Sequence, residues 1–417
     1  MHLRDIRTVK DLAGKRVLVR VDFNVPLRQA GSGYEVDPHG DWRIRRSLPT
    51  IMYLMERGAV VILLTHVGRP KGMVREDLRV KPMAMRLSML LNEEGIANEL
   101  VWTNFERHVP RGAERQLLLA SDCVGTKTIE VVDHAREGDI VMLENVRFQA
   151  GEEANDVEFA KALAEGKDIY VNDQLGMSHR AHASVSAVTS FVPSYAGMLL
   201  IDEVQHLSAI LNSPQKPFVF ILGGVKLETK LPLLRAMLPR VDVMHIGGAA
   251  ANTLLSAVGK PVGRSMVTPG HDTVVNENGW EKVRLPVDVV VAKDTDGIGV
   301  RTCKVEDVRP DEYIYDVGPE TVDAIRKDAQ RARLVVWNGP LGYFEVPLFA
   351  QGSTRLAREL AVLNTAQTET VVGGGDTEDL VESVGMREKM RFVSTGGGAM
   401  LAFLSGEELP GLVPLLE

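Results

Sequence analysis

Five stretches in the first half of the chain set arginine, histidine and carboxylate side chains beside short apolar runs. Asp22-Phe23-Asn24 follows Val17–Val19, Asp41-Trp42-Arg43-Ile44-Arg45-Arg46 opens a helical pattern, and Thr65-His66-Val67-Gly68-Arg69-Pro70 follows Val60–Leu64. Leu143–Phe148 closes another run with Arg147, and Asn172–His182 follows Ile169–Val171 with His179, Arg180 and His182. Four of the five place an arginine at or beyond a strand end or at a helix start. Guanidinium forks suit bidentate contact with carboxylate and phosphate, so this half reads as a site for a small, multiply anionic molecule. Any one of these arginines taken alone is more often a surface ion-pair partner, and each histidine a polar packing residue. Their joint arrangement carries the reading. No H-E-x-x-H spacing occurs, which argues against zinc.

The second half repeats a different device: an apolar strand, then glycines, then a helix start. Phe218–Leu222 leads into Gly223–Lys230, Val243–Ile246 into Gly247-Gly248, Val371-Val372 into Gly373–Thr377, and Phe392-Val393 into Ser394–Gly398. Glycine lets backbone amides approach a phosphate at a helix's positive end. A single such turn is more often plain strand-to-helix punctuation. Four in one half, one with lysines and one with an aspartate, favour a phosphate-binding half. Lys226 and Lys230 lie four apart, on one face if a helix starts early; a solvated face is the alternative. Asp376 is suited to Mg²⁺ on nucleotide oxygens and equally to capping a helix. Neither a G-x-G-x-x-G nor a P-loop pattern occurs in this half.

The elements that must hold these residues are continuous apolar runs, as expected of strands buried on both faces of a parallel sheet. They include Val17–Val19, Val60–Leu64, Ile140–Leu143, Ile169–Val171, Phe218–Leu222, Val287–Val291, Leu334–Trp337 and Val371-Val372, with helical patterns between, for example Ser47–Glu56, Val157–Leu163 and Thr354–Leu363. This alternation predicts an α/β fold, and the number of strands predicts two doubly wound parallel-sheet domains with a cleft between them. Residues 1–190 and 213–401 are the expected domains. Residues 191–212 are the expected hinge helix, its periodicity running over Ser194–Leu211 before Asn212-Ser213-Pro214 breaks it. Residues 264–284 read as a polar surface excursion.

The 417 residues suffice for two cores, and a net charge of −8 argues against a general nucleic-acid binder. Cys123 and Cys303 form no C-x-x-C pair and read as buried, reduced thiols. Neither a leader-like apolar segment near Met1–Lys10 nor a membrane-length run is expected, so the reading is a soluble, cytoplasmic protein.

These motifs resemble the phosphoglycerate kinase family. Val17–Pro26 looks like its N-terminal signature, and His66–Pro70, Arg147-Phe148, His179–His182, Trp337–Pro340, Gly373–Thr377 and Ser394–Gly398 look like its other landmarks, in the same order from about Lys15 to Leu409. The resemblance implies a phosphoglycerate site of Asp22, Asn24, Arg43, His66, Arg69, Arg147 and Arg180. It implies phosphate lysines at Lys226 and Lys230, and nucleotide positions at Gly247, Gly248, Gly318, Glu345, Gly374, Gly375, Asp376 and Thr377. Glu345 would meet the ribose and Asp376 the Mg²⁺ of the nucleotide, with Gly396 and Gly397 supplying phosphate amides. It also implies a C-terminal tail, about 402–417, packed on the first domain. Two stretches depart from the family. Gln174-Leu175-Gly176-Met177-Ser178 replaces the usual Ala-Phe-Gly-Thr-Ala before the retained His179 and Arg180. Gly247–Asn252 stands where the family has Gly-Gly-Gly-Met-Ala-Phe near the adenine; it looks more like archaeal members and leaves adenine against guanine open.

The implied reaction is reversible phosphoryl transfer from 1,3-bisphosphoglycerate to ADP, giving 3-phosphoglycerate and ATP. Its nucleophile is a carboxylate or a phosphate oxygen, already ionised, which suits a site of cations and amides without a general base. Arg43 and Lys226 are the expected holders of the moving group. The expected partners are these two substrates and Mg²⁺, with neither nucleic acid nor membrane, on a chain that is more readily a monomer than a dimer. The alternatives are another carboxylate-accepting kinase of the acetate kinase type and a non-catalytic nucleotide-binding scaffold. The first leaves Asp22–Asn24 and Arg180 unexplained. The second would be favoured by loss of Arg43, Lys226 or Asp376, all of which are present.

Overall fold

The computed structural model describes residues 1–31, 33–102, 114–270, 272–363 and 368–417. The chain forms two compact units, Met1–Gln205 with Glu408–Glu417, and His206–Glu407. The helix Met198–Asn212 contains the boundary between them.

In the first unit seven parallel strands lie in the order Glu99–Trp102, Gln116–Leu119, Ile140–Met142, Val60–Leu64, Arg16–Arg20, Ile169–Asn172, Ser194–Ala196. The continuous apolar runs have a direct cause. Val17, Val19, Val61 and Leu63 enter one core, while Leu18, Ile62 and Leu64 enter the core on the opposite face. Side chains alternate faces along a strand, so burying both faces demands an apolar residue at every position. The helix Trp42–Glu56 buries Ile44, Leu48, Ile51 and Leu54, the three-and-four spacing of one helical face, in the first of these cores.

In the second unit six parallel strands lie in the order Val283–Arg284, Val243–Ile246, Phe218–Leu222, Leu334–Asn338, Glu369–Gly373, Phe392–Val393. The apolar run at 287–291 is not a strand of this sheet. Asp288–Ala292 lies between Arg301–Lys304 and Tyr313–Val317 in a small antiparallel sheet. Its core-facing residues Val289 and Val291 alternate with the partly exposed Val290, a period-2 pattern hidden because the outward residue is also valine.

Residues 194–211 are not one helix. Ser194–Ala196 pairs in parallel with Tyr170–Asn172, and the helix starts only at Met198. At Gly197 the chain passes so close to Asp173 that a Cβ would lie 2.1 Å from its Oδ1. That close pass delivers the first turn to external acceptors: Met198 N–H donates to Thr50 Oγ1 (3.0 Å) and Leu199 N–H to Asp173 Oδ1 (3.1 Å). The tail also divides later than 402. The Gly398–Leu404 helix packs on Leu231–Met237 in the second unit, and only Glu408–Glu417 belongs to the first. There Asn172 Nδ2 donates to Gly411 O (3.2 Å), Gly411 N–H donates to Ser178 O (2.9 Å), and Leu409, Leu412 and Leu415 are buried. Residues 264–284, apart from residue 271, which lies outside the described residues, are more than a surface excursion: Val274 is buried, and Arg264, Ser265 and Met266 line a cavity.

Candidate functional sites at the strand ends of each unit

In the first unit the loops that leave the parallel strands bring Asp22, His66 and Arg147 together, all buried, with Arg43 half-buried. Arg43 Nη1 donates to Asp22 Oδ2 at 2.7 Å, and Asn24 N–H donates to Asp22 Oδ1 at 3.1 Å. Burial by itself would raise the Asp22 carboxyl. Arg43, His66 and the Asn24 amide outweigh it and hold the group below the usual carboxylate range. Arg147 Nη1 donates to Gly68 O (2.6 Å), and Asn24 Oδ1 accepts from Gly68 N–H (2.9 Å), so Gly68 ties two of the loops together. Arg147 Nε faces Glu153 Oε1 at 3.3 Å. Arg69 and Arg180 are exposed; Arg180 Nε donates to His179 Nε2 at 3.3 Å. A buried carboxylate and buried cations, with exposed arginines beside them, make a surface that can take a small anion without first rearranging.

Arg20 ties this cluster to the strand behind it, although it belongs to none of the expected site residues. It lies fully buried within an apolar strand, its Nε donating to Ser184 Oγ (2.9 Å) and its Nη2 to His66 Nδ1 (3.2 Å). Arginine has no acceptor, so His66 Nδ1 accepts and the ring proton sits on Nε2. Burial, with Arg20, Arg147 and Arg43 close by, keeps the His66 imidazole well below its ordinary pKa and therefore neutral at pH 7. Behind Arg20, Ser184 N–H and Oγ donate to the fully buried Glu152 (2.9 and 2.7 Å), and Tyr170 OH donates to Ser184 O (2.8 Å). The signal available in the sequence was a lone charge inside Val17–Val21.

In the second unit the glycine turns pack against one another. A Cβ on Gly223 would lie 2.2 Å from Pro340 O, and one on Gly248 2.7 Å from Gly224 O. Their amides are committed to this packing: Gly223 N–H donates to Asn338 O, Gly224 to Pro340 O, Gly247 to Leu222 O and Gly248 to Leu341 O, at 2.7–2.9 Å. These glycines therefore shape the site, where the sequence suggested phosphate donors. Gly396 N–H is likewise taken, by Ser394 Oγ (3.0 Å), while Gly397 begins the short Gly398–Leu404 helix. The Gly375–Ser383 helix differs. Gly374, at φ 98°, precedes it, and the N–H groups of Gly374, Gly375 and Asp376 make no backbone hydrogen bond among the described residues. A helix first turn with free amides can receive an anion.

Asn338 organises the surrounding charges, a second residue absent from the expected set. Its Oδ1 accepts from Lys230 Nζ (2.7 Å) and its Nδ2 donates to Gly373 O (2.8 Å), while Gly339 N–H donates to Thr377 Oγ1 (2.7 Å). Burial pushes the Lys230 ammonium down to about 8, with Asp376 partly opposing. Lys226 and Lys230 do not share a helical face. The helix begins at Leu231, with Pro232 in its first turn where proline is favoured, so Lys226 lies exposed on the preceding turn. Asp376 is exposed and makes no cap hydrogen bond; Gly374 holds the cap position.

Beside these turns lies a cavity of about 530 Å³, lined by Gly224, Gly248, Asn252, Arg264, Asp316, Glu345 and Asp376 among others. Tyr313, Tyr315 and Tyr343 also line it. Tyr315 stacks with Tyr313 (5.7 Å) and Tyr343 (6.3 Å), while Arg264 covers Tyr313 at 5.3 Å. An aromatic wall of this kind suits a flat base. Burial pushes Asp316 up to about 7, although Gly352 N–H (2.7 Å) and Val317 N–H (2.8 Å) donate to it. Gly318 is not in the lining. It precedes the Pro319–Ala329 helix, where a Cβ would meet the Asp288 carboxylate at 2.3 Å. Of the two thiols, both free, Cys123 is buried but Cys303 only half-buried. Among the described residues no helix is long and apolar enough to cross a membrane.

Parallel sheets with arginines and a buried carboxylate gathered at the strand ends of one unit, and beside Lys230 in the other a cavity lined by Gly224, Gly248 and Asp376, are the arrangement of a two-substrate α/β phosphotransferase. The family model for phosphoglycerate kinase matches residues 5–407. Curated relatives called phosphoglycerate kinase include one from Thermomicrobium roseum, 44% identical over 421 residues (99% of this chain, 100% of the relative), and one from Dictyoglomus turgidum, 40% identical over 424 residues (100% and 98%). Solved phosphoglycerate kinase structures from Coxiella burnetii and Pyrococcus horikoshii each align with a TM-score of 0.78. Their identities are 35% and 28%, and the alignments cover 99% of this chain with 99% and 98% of theirs. The chain belongs to the phosphoglycerate kinase family.

Proposed function

We infer that the chain is a glycolytic kinase that transfers the acyl phosphate of 1,3-bisphosphoglycerate reversibly to ADP, giving 3-phosphoglycerate and ATP. The observation that carries this is the division of labour between the units. Asp22, Arg43, His66 and Arg147 converge in one, and Lys230, Asp376 and a base-sized cavity in the other. In our reading Arg43, Arg69, Arg147 and Arg180, with Asn24 and His66, hold the phosphoglycerate, and Asp22 fixes the direction of Arg43. Gly374, Gly375 and Thr377 form the nucleotide's phosphate turn, and Glu345 meets its ribose.

The attacking oxygen is ionised in either direction, so no side chain need take a proton. Catalysis rests on placing two anions together and stabilising the charge between them. Arg43 and Lys226 contact the equatorial oxygens of the moving group, helped by the amide of Gly397. Asp376 is a single exposed carboxylate, and Mg²⁺ characteristically takes one or two carboxylates plus phosphate oxygens. The donor set thus fits a metal that arrives with the nucleotide, whose chemistry is to neutralise phosphate charge. Direct transfer needs donor and acceptor about 3–3.5 Å apart, and an acyl phosphate must be kept from water. The two units therefore close in the ternary complex, bending about the Met198–Asn212 helix. We place the protein in the cytoplasm, working as a monomer.

The test is a coupled assay with purified protein, ADP, Mg²⁺ and 1,3-bisphosphoglycerate. ATP formation is expected, with none from acetyl phosphate. A protein that binds ADP but forms no ATP would instead be a nucleotide-binding scaffold.

A further inference from the structure

Arg20 is fully buried, yet none of its hydrogen bonds goes to a carboxylate. Its Nε donates to Ser184 Oγ (2.9 Å), its Nη1 to Val21 O and its Nη2 to His66 Nδ1 (3.2 Å). A buried guanidinium needs a compensating charge nearby. Two buried carboxylates feel its charge, Asp22 and Glu152. Asp22 is claimed by Arg43 at 2.7 Å. Glu152 is 0% exposed and has no arginine or lysine partner among the described residues; it faces His182 Nδ1 at 3.7 Å. Both of its oxygens turn to Ser184, whose N–H donates to Oε2 (2.9 Å) and whose Oγ donates to Oε1 (2.7 Å). Burial would raise the Glu152 carboxyl, but His182, Arg20 and Ser184 together hold it below the usual range, so it is ionised at pH 7. With its hydrogen given to Glu152, the Ser184 hydroxyl is left to accept from Arg20. Four buried groups are thus ordered in one direction: Glu152, Ser184, Arg20, His66.

We propose that Glu152 is a positioning residue for phosphoglycerate binding: acting through Ser184 and Arg20, it holds His66 as the Nε2–H tautomer. This rests on the cluster in the first unit being the phosphoglycerate site. An ionised carboxylate supplies two acceptors for Ser184 and the charge that Arg20 otherwise lacks. A side-chain amide of the same shape offers one acceptor and one donor group. With its oxygen on the Ser184 N–H, its NH2 would meet Ser184 Oγ, and the hydroxyl would lose its acceptor. Turned round, the NH2 would meet the Ser184 N–H. Either way one link is lost, and Arg20 is left buried without its counter-charge. His66 Nδ1 lies 4.0 Å from Asp22 Oδ1. Once released by Arg20, Nδ1 can take the ring proton and turn it toward that carboxylate. Nε2 then carries a lone pair, which repels an anion where an N–H would attract it.

The experiment reads the His66 tautomer by nitrogen–proton NMR correlation on histidine-labelled protein, the signal being assigned by its loss in His66→Gln. Wild type, Glu152→Gln and Ser184→Ala are compared, with calorimetry on 3-phosphoglycerate and on ADP. Ser184→Ala cuts the chain at the hydroxyl but keeps the backbone bond to Glu152. Wild type should hold His66 as Nε2–H alone. Both variants should show an Nδ1–H population and bind 3-phosphoglycerate about tenfold more weakly, the scale of one hydrogen bond to a charged group. ADP binding should stay within about twofold of wild type, as for an independent site. Variants that only melt earlier, with tautomer and 3-phosphoglycerate affinity unchanged, overturn the proposal, because Glu152 then merely supports the fold. A wild type whose His66 carries its proton on Nδ1 overturns it with no variant needed, so misfolding of a variant does not stop the test. A wild type with the Nε2–H tautomer that binds no 3-phosphoglycerate overturns the reading of the site, and with it the role of Glu152; the tautomer tells the two failures apart.

Discussion

The two units arrange the charged groups at their strand ends in different ways. In the first, charge is buried and cross-paired before any ligand arrives: Arg20 on His66 and Ser184, Arg43 on Asp22, Arg147 on Gly68. In the second, Glu345 and Asp376 stand exposed at the cavity lining and Lys226 is exposed on a loop, Lys230 is held by Asn338, and the close packing belongs to backbone. Buried charges hold position only when partnered, so Asp22, Arg20 and Arg147 are fixed by their partners, while Arg69 and Arg180 stand exposed beside them. Exposed charges are freely hydrated and weakly positioned. The second site's shape rests instead on the turns at Gly223, Gly247 and Gly248, where an added Cβ would lie 2.2–2.7 Å from a neighbouring loop.

Four measurements test this contrast, in order of decreasing expected effect. Arg43→Ala should lower kcat by about 10²–10³-fold, the scale of a lost charge-stabilising donor. A raised KM with kcat within about twofold of wild type would make Arg43 a binding residue only. Asp376→Ala should weaken Mg·ADP binding by about 10–100-fold, a charge-assisted loss, and leave 3-phosphoglycerate binding nearly unchanged. Equal losses for both ligands in calorimetry would erase the division between the units.

Lys230 tests the second site by pH. Its ammonium titrates near 8 in the free protein, so it loses its proton as pH rises through that value, whereas a bound diphosphate favours the charged form. ADP binding at pH 8.5 should take up protons, seen as heats that depend on the buffer, and should weaken by about tenfold between pH 7.5 and 9.5. Lys230→Met should remove both effects; if they persist, another group is responsible.

The smallest effect concerns Asp173. Burial pushes its carboxyl up to about 8 despite bonds from Thr50 and Leu199. The folded chain then keeps a proton that the unfolded chain loses near pH 4, so stability falls as pH rises from about 4 to 8. Asp173→Asn should flatten that slope and raise Tm by about 2–6 °C at pH 8, with little change at pH 4. A variant less stable than wild type at pH 8 would mean that the ionised carboxylate favours the Met198–Asn212 helix start.

Much of the architecture was legible because burial on both faces of a parallel sheet leaves a mark on every strand residue. Val60–Leu64 and Phe218–Leu222 stand in the structure with the predicted ends. The small antiparallel sheet was not legible, since its outward Val290 imitates a two-sided strand. Ser194–Ala196 reads as helix in the sequence because three residues are too few to separate a period of 2 from one of 3.6. In the sites, motif residues at strand ends were readable: Asp22, His66 and Arg147 do converge. Arg20 and Asn338 were not, because their importance lies in partners 164 and 108 residues away.

By itself the sequence determined which residue types lead out of each buried strand, and hence that one unit would present arginines and the other glycines. Local chemistry suffices for that, because the end of a parallel strand is set by its own apolar run. Only the tertiary structure decided how each group is used. It gave the amides of Gly223, Gly224, Gly247 and Gly248 to neighbouring backbone carbonyls and left those at Gly374–Asp376 without a backbone hydrogen bond among the described residues. It also lowered the Lys230 ammonium through burial, and placed Glu152 behind Arg20 with Ser184 between them. Hydrogen-bond supply and desolvation depend on neighbours distant in the chain, and neither is written into any single stretch of it.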